Sequence, residues 1–252
     1  MTPLLEVCVD SLASARAAIA GGAHRLELCS ALTVGGLTPY AELLEEIRAE
    51  SAIPVRCLMR PRGGDFLYTR EEIHMMARQI TALRRAGADG FVIGCLDADG
   101  RLDTAAMEPL LRAAHGCGLT LHRCIDVSCD PVQTYRDAAH CGFDTVLTSG
   151  GAMSCVAGQE MLGRLLALRD EINGPEVLIG AGVNAAVITR LRQALPGARA
   201  FHASCKAEVE SAMRYRRDGV PMGLPGLDEW HIQQTSEQAV RLAKAALERE
   251  IS

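Results

Sequence analysis

The chain has 252 residues, 48% of them hydrophobic, which is enough apolar material for one large α/β domain. A formal charge of −5 with no basic stripe excludes a nucleic-acid footprint, and no uninterrupted apolar run has the length of a membrane span. The start of the chain lacks a positive region and meets Asp10 early, so no secretory signal is predicted and the protein is expected in the cytoplasm.

Eight short β-rich runs alternate with helical patterns along the chain. The runs are Leu4–Val9, Arg25–Cys29, Pro54–Met59, Gly90–Ile93, Leu119–Cys124, Thr145–Thr148, Glu176–Ile179 and Ala200–Ser204. The helical patterns cover 11–21, 38–50, 70–86, 103–116, 130–141, 157–173, 184–195 and 236–250. The last opens on Thr235-Ser-Glu-Gln238, which matches a capping box. Gly21-Gly22, Gly87, Gly116 and Gly142 mark helix ends. Evenly spaced βα units without a linker predict a single-domain closed (β/α)8 TIM barrel over 1–252 rather than a doubly wound open sheet. The rhythm breaks once, at 206–234, where Pro221 and Pro225 predict an irregular insertion over a rim or an oligomer interface.

Strand parity then sorts the side chains. Leu5, Val7 and Val9 form one apolar face for the helices, leaving Glu6 and Cys8 for the lumen. The same alternation sends Arg25, Glu27, Cys29, Arg56, Arg60, His122, Cys124, His202 and Ser204 inward. Glu6 is expected beside Glu27, and Glu27 beside Arg56. Branched aliphatics usually fill such a lumen, and an unpaired buried charge costs several kcal/mol. These groups therefore either pair among themselves and fill the barrel, or receive a ligand.

Barrel active sites lie at the C-terminal mouth, and several strand ends carry chemistry there. After the third run comes Arg60-Pro-Arg62-Gly-Gly-Asp65, two guanidinium forks and a carboxylate around flexible backbone. The fifth run ends in His122-Arg123-Cys124-Ile125-Asp126, which offers an imidazole, a cation and a carboxylate. Ser149-Gly150 and Gly180-Ala-Gly182 suit an anion. Gly180 to Ala185 also fits a dinucleotide pattern, but no acidic residue ends the next strand, so that reading is rejected. Asp97 and Asp99 read as a solvated turn rather than a metal site.

The ten cysteines show no Cys-x-x-Cys pair and in a reducing cytosol read mostly as small buried hydrophobes. Cys8 and Cys29 are the exceptions: both fall late on adjacent strands about 4.8 Å apart. They are either two structural thiols or a pair for a soft ion such as Cu(I).

These residues resemble the CutC family of copper homeostasis proteins over nearly the whole length. The resemblance is carried by Leu-Glu-Val-Cys-Val-Asp-Ser (5–11), Glu-Leu-Cys-Ser (27–30), Gly-Gly-Leu-Thr-Pro (35–39) and Arg-Pro-Arg-Gly-Gly-Asp-Phe-Leu-Tyr (60–68). His-Arg-x-x-Asp (122–126), Val-Leu-Thr-Ser-Gly (146–150), Gly-Ala-Gly-Val (180–183) and Met-Arg-Tyr-Arg (213–216) extend it. It implies a TIM barrel, a cytoplasmic homo-oligomer (dimer or tetramer), and Cu(I) held by Cys8 and Cys29. Cys124 and Cys205 depart from the family's usual small residues and could add a soft ligand.

Copper handling accounts for the thiols but not for the polar mouth, so a second reading stands. In it the barrel is an enzyme for a small anionic substrate, phosphorylated ones included. His122 or Asp126 serves as acid/base, with Glu27 and Asp65 beside them, and Arg60 and Arg123 clamp the anion. Arg62, Ser149, Gly150, Gly180, Gly182, His202 and Ser204 would cradle a phosphate- or sulfate-like group.

Overall fold

The computed structural model describes residues 3–250 except 218, 221 and 224–227. Eight parallel strands close into a barrel in sequence order. They are β1 (Leu4–Val9), β2 (Arg25–Leu28), β3 (Val55–Leu58), β4 (Gly90–Ile93), β5 (Gly118–Leu121), β6 (Thr145–Thr148), β7 (Glu176–Ile179) and β8 (Ala200–Ala203). The helices are α1 (Leu12–Ala20), α2 (Ala41–Glu50), α3 (Arg70–Arg85), α4 (Thr104–Ala113), α5 (Pro131–His140), α6 (Gln159–Ile172), α7 (Ala185–Ala194) and α8 (Glu237–Glu248). The chain is thus a TIM barrel. None of the described helices is long and apolar enough to cross a membrane.

Local chemistry accounts for the element ends. Gly22, Gly87, Gly116 and Gly142 follow helices with positive φ, where L side chains are strained. Gly21 serves differently: its φ is −72°, and an added Cβ would lie 2.5 Å from Val240 of α8. The predicted capping box at 235–238 does not form. Ser236 caps α8 through the Ala239 amide, while Thr235 stays on a strand with its amide on Ser14 Oγ at 3.1 Å. A capping box forms instead at Thr69 and Glu72, at the head of α3.

The outward faces of the strands build the main core with the helices. Leu5, Val7, Val9, Leu26, Leu28, Val55 and Phe91 are all inaccessible there. The segment after β8 is more regular than expected. Lys206–Glu210 (β9) and His231–Thr235 (β10) pair as an antiparallel ribbon that packs against α1 through β10. Pro221 and Pro225 lie outside the described residues.

Register is the main correction. Glu6 pairs with Arg25 and Cys8 with Glu27, so Glu6 does not sit beside Glu27. Strands tilt when a barrel closes, and the stagger slides β2 by two residues against a level alignment. That slide exchanges a repulsive carboxylate pair for an ion pair. Glu27 does lie opposite Arg56, but Arg56 reaches away from it, to Asp144 at 2.7 Å and the Thr120 hydroxyl at 2.6 Å. Gly90 and Gly118 clear its path, since a Cβ on Gly118 would lie 2.6 Å from the guanidinium.

Candidate functional site at the barrel mouth

A cavity of about 470 Å³ opens at the C-terminal end of the strands. Behind the lining residue His202, the inaccessible Glu6 carboxylate accepts from Arg25 Nε at 2.5 Å and bonds His202 Nδ1 at 2.8 Å. Burial alone would raise Glu6, but Arg25, His202 and Arg56 hold it down to about 2. His202 Nε2 faces Glu27 Oε2 at 3.8 Å. Burial opposes the imidazolium, yet Glu27, Cys8 and Glu6 keep His202 charged well above the usual histidine range. Glu27 moves the opposite way: burial and the Glu6 charge raise it against the pull of His202.

The Cys8 thiol, a Glu27 oxygen and a His202 nitrogen lie within 4.8 Å of one another. They are a group that can hold a metal ion. Cys29 Sγ falls outside this group and donates to Glu27 Oε2 at 3.3 Å. It is inaccessible and packs with Cys8, Leu58 and Val92. Burial and the neighbouring Glu27 push its thiol well up.

The wall is built by two loops that lock together. Thr38 donates its amide to the Arg60 carbonyl at 2.9 Å, and its hydroxyl accepts from the Arg60 amide at 3.0 Å. Arg60 spends its terminal nitrogens on the carbonyls of Val34, Gly36 and Gly64 at 3.0, 3.0 and 3.2 Å. It is 9% exposed, and no carboxylate of the described residues lies within ion-pair distance. Its Nε has no partner.

His122 stands next to it, with Phe66 packed on both: 4.8 Å from the His122 ring and 5.4 Å from the Arg60 guanidinium. His122 is not on a strand, since β5 ends at Leu121 and Arg123–Val127 is a 3-10 turn. Its Nδ1 accepts the Cys124 amide at 3.2 Å, which places the proton on Nε2, where no acceptor is found. Burial, then the Arg60 charge, lower His122 to about 3, so the ring is neutral. Cys124 packs into the core behind it.

Asp126 organises the rim instead of offering a free base. It accepts from the Thr148 hydroxyl at 2.5 Å, the Ser149 amide at 3.0 Å, the Gly151 amide at 3.1 Å and Arg123 Nε at 2.7 Å. With these the carboxylate is saturated. The turn that supplies the donors is held by a backbone crossing at Gly158, where a Cβ would lie 1.9 Å from the Ser149 carbonyl. We expect Gly158→Ala to lower stability by about 1–3 kcal/mol in urea unfolding and to loosen the Asp126 turn in amide exchange.

Of the residues singled out from sequence, Cys8, Glu27, Arg60, His122, Arg123, Asp126, Gly182, His202 and Ser204 line this cavity. The others lie outside its lining. Arg62 pairs with Glu72 at 2.7 Å and Asp65 at 3.0 Å and stacks on Tyr68, so it braces its own loop. Gly180 donates its amide to the Thr148 carbonyl, and Gly150 to the Thr148 hydroxyl, so neither amide is free for an anion. Ser149 is inaccessible. Sequence reasoning missed Phe66, Lys206 and the loop through Leu32, Val34 and Gly35. The Gly35-Gly36 pair, both with positive φ, was the available signal.

Fold and mouth together define a TIM-barrel protein with a polar cavity at the C-terminal end of its strands, lined by Cys8, Glu27 and His202 among others. The chain belongs to the CutC family, whose model matches residues 3–207. CutC of Chromobacterium violaceum is 42% identical over 250 residues, covering 99% of this chain and all of that protein. CutC of Porphyromonas gingivalis is 39% identical, with 96% of this chain and 97% of that protein covered. The crystal structure of Streptococcus agalactiae CutC, a protein named for copper homeostasis, superposes with a TM-score of 0.75 at 28% identity. That superposition covers 81% of this chain and 99% of the other.

Proposed function

We propose that the barrel binds a small anionic ligand, with a carboxylate or phosphate group, in the mouth cavity, and acts on it as an enzyme. The observation that carries this reading is Arg60, a buried cation with no carboxylate partner among the described residues, beside a neutral His122 whose Nε2–H has no acceptor among them. Burying an uncompensated charge costs several kcal/mol, and an anion at the wall removes that cost. Arg25 and Arg56 differ, since each has its own carboxylate. A thermal-shift screen with inorganic phosphate, sulfate and small mono- and dicarboxylates tests it. One class should raise the melting temperature of the native protein and leave Arg60→Ala unmoved. Equal shifts in both proteins, or none in either, contradict it. As part of the same reading the protein is a cytoplasmic homo-oligomer, and light scattering gives its subunit number.

Copper handling is the second reading, favoured by Cys8 at the cavity floor and by its shared apolar cluster with Cys29. Cu(I) prefers two thiolates, and Cys29 supplies the second only by giving up its contact with Glu27. Anaerobic Cu(I) titration against a competing chelator separates the readings. Tight one-to-one binding that is lost in Cys8→Ser/Cys29→Ser supports copper, and binding indifferent to both substitutions removes it.

A further inference from the structure

We propose that Cys8, Glu27 and His202 form a three-ligand site for a borderline divalent cation, zinc(II) above all, with its fourth position open to the mouth cavity. The inference goes beyond the anion reading and does not depend on it. The donor set is one thiolate, one imidazole and one carboxylate. That mixture suits Zn(II) and its analogue Co(II), whereas the hard carboxylate is a poor donor for Cu(I).

Geometry supports the assignment. A tetrahedral zinc with bonds of about 2.0–2.3 Å separates its donors by roughly 3.3–3.8 Å. His202 Nε2 and Glu27 Oε2 stand at 3.8 Å, and all three donors fall within 4.8 Å, so a contraction of about 1 Å closes the site. The imidazole already presents the correct nitrogen. Its Nδ1 is engaged by Glu6 at 2.8 Å, the carboxylate–histidine arrangement that orients a metal-binding ring. The second carboxylate is steadied as well, because the Cys29 thiol donates to Glu27. Cys8 and Glu27 are buried and His202 is half-buried, and all three line the cavity. Three protein ligands plus an open position is the pattern of a catalytic rather than a structural zinc site. Arg60 and His122 line the same cavity, so an anion could meet the wall donors and the metal together.

The test uses the full chain, freed of metal with a chelator and kept anaerobic, with Zn2+ titrated against a chromophoric chelator and Co2+ as spectroscopic reporter. The native protein should bind one Zn2+, and Co2+ should show a charge-transfer band from one thiolate. Cys8→Ser and His202→Gln should each weaken Zn2+ at least about 100-fold, and Glu6→Gln about 10–100-fold. Cys29→Ser, which keeps a donor to Glu27, should stay within about threefold, and Arg60→Ala should leave Zn2+ binding unchanged while abolishing the anion response. Circular dichroism checks that each variant folds. If a variant fails to fold, the native Co2+ spectrum decides alone, and absence of a thiolate band overturns the site. Native affinity equal to that of folded Cys8→Ser, or loss in Cys29→Ser as large as in Cys8→Ser, also overturns it.

Discussion

Arg25→Met lowers the free energy of unfolding by about 3–5 kcal/mol, the effect of leaving a buried carboxylate without its cation. Glu6 is inaccessible, and Arg25 Nε at 2.5 Å is its closest partner. Simultaneous Glu6→Gln and Arg25→Met removes both charges and recovers most of the loss, because the large term belongs to the orphaned ion rather than to the pair. The pH dependence follows from the same contact. Glu6 is held down to about 2 from an ordinary value of 4.5. The folded-state value is the depressed one, so its stabilisation is complete above pH 4.5 and disappears as pH falls through 2. Urea midpoints across that window, native against Glu6→Gln, should converge at the acid end. A single variant at Arg25 that costs less than about 1 kcal/mol contradicts the account.

His122 produces the second large effect, and over a higher pH range. Burial and the Arg60 charge lower it to about 3 from an ordinary 6.5. The folded state resists its proton and the unfolded state accepts it. Stability is therefore complete above pH 6.5 and falls steadily as pH drops toward 3, by on the order of 5 kcal/mol in total. His122→Asn keeps a side-chain acceptor for the Cys124 amide and has no titratable ring. The difference in unfolding free energy between the native protein and this variant should swing by several kcal/mol from pH 7 to pH 4. A difference constant across that range would mean that the ring titrates normally in the folded protein. Phosphate or a carboxylate bound beside Arg60 offsets part of its charge and should pull the acid limb of the native protein to lower stability loss at a given pH.

Much of the fold was legible in the sequence because it rests on local rules. Alternating faces such as Leu5, Val7 and Val9 against Glu6 and Cys8, and glycines past the helix ends, locate strands and stops without tertiary information. The register was not legible. Whether Glu6 meets Arg25 or Glu27 depends on the stagger adopted when the barrel closes, a property of all eight strands together. The turn at Arg123–Val127 was hidden for a related reason, since a short apolar run carries no mark of where a strand ends.

Candidate site residues were legible as a group and less so in their roles. Asp126 has the sequence context of a base, but most of its donors come from the end of β6 and the loop after it, so its saturation appears only in three dimensions. Arg60 and Arg62 look equivalent in Arg-Pro-Arg. One braces its own loop with Glu72 and Asp65, and the other is buried among backbone carbonyls at the cavity. No spacing rule separates them, because the difference lies in which carboxylates the fold brings within reach.

The most direct test of the anion reading is a crystal structure of the native protein grown in phosphate or in the carboxylate that stabilises it most. The account predicts density for the anion in the mouth cavity, within hydrogen-bond distance of Arg60 or His122 Nε2. A well-ordered cavity in which both donors meet only water, with the anion elsewhere or absent, would contradict it.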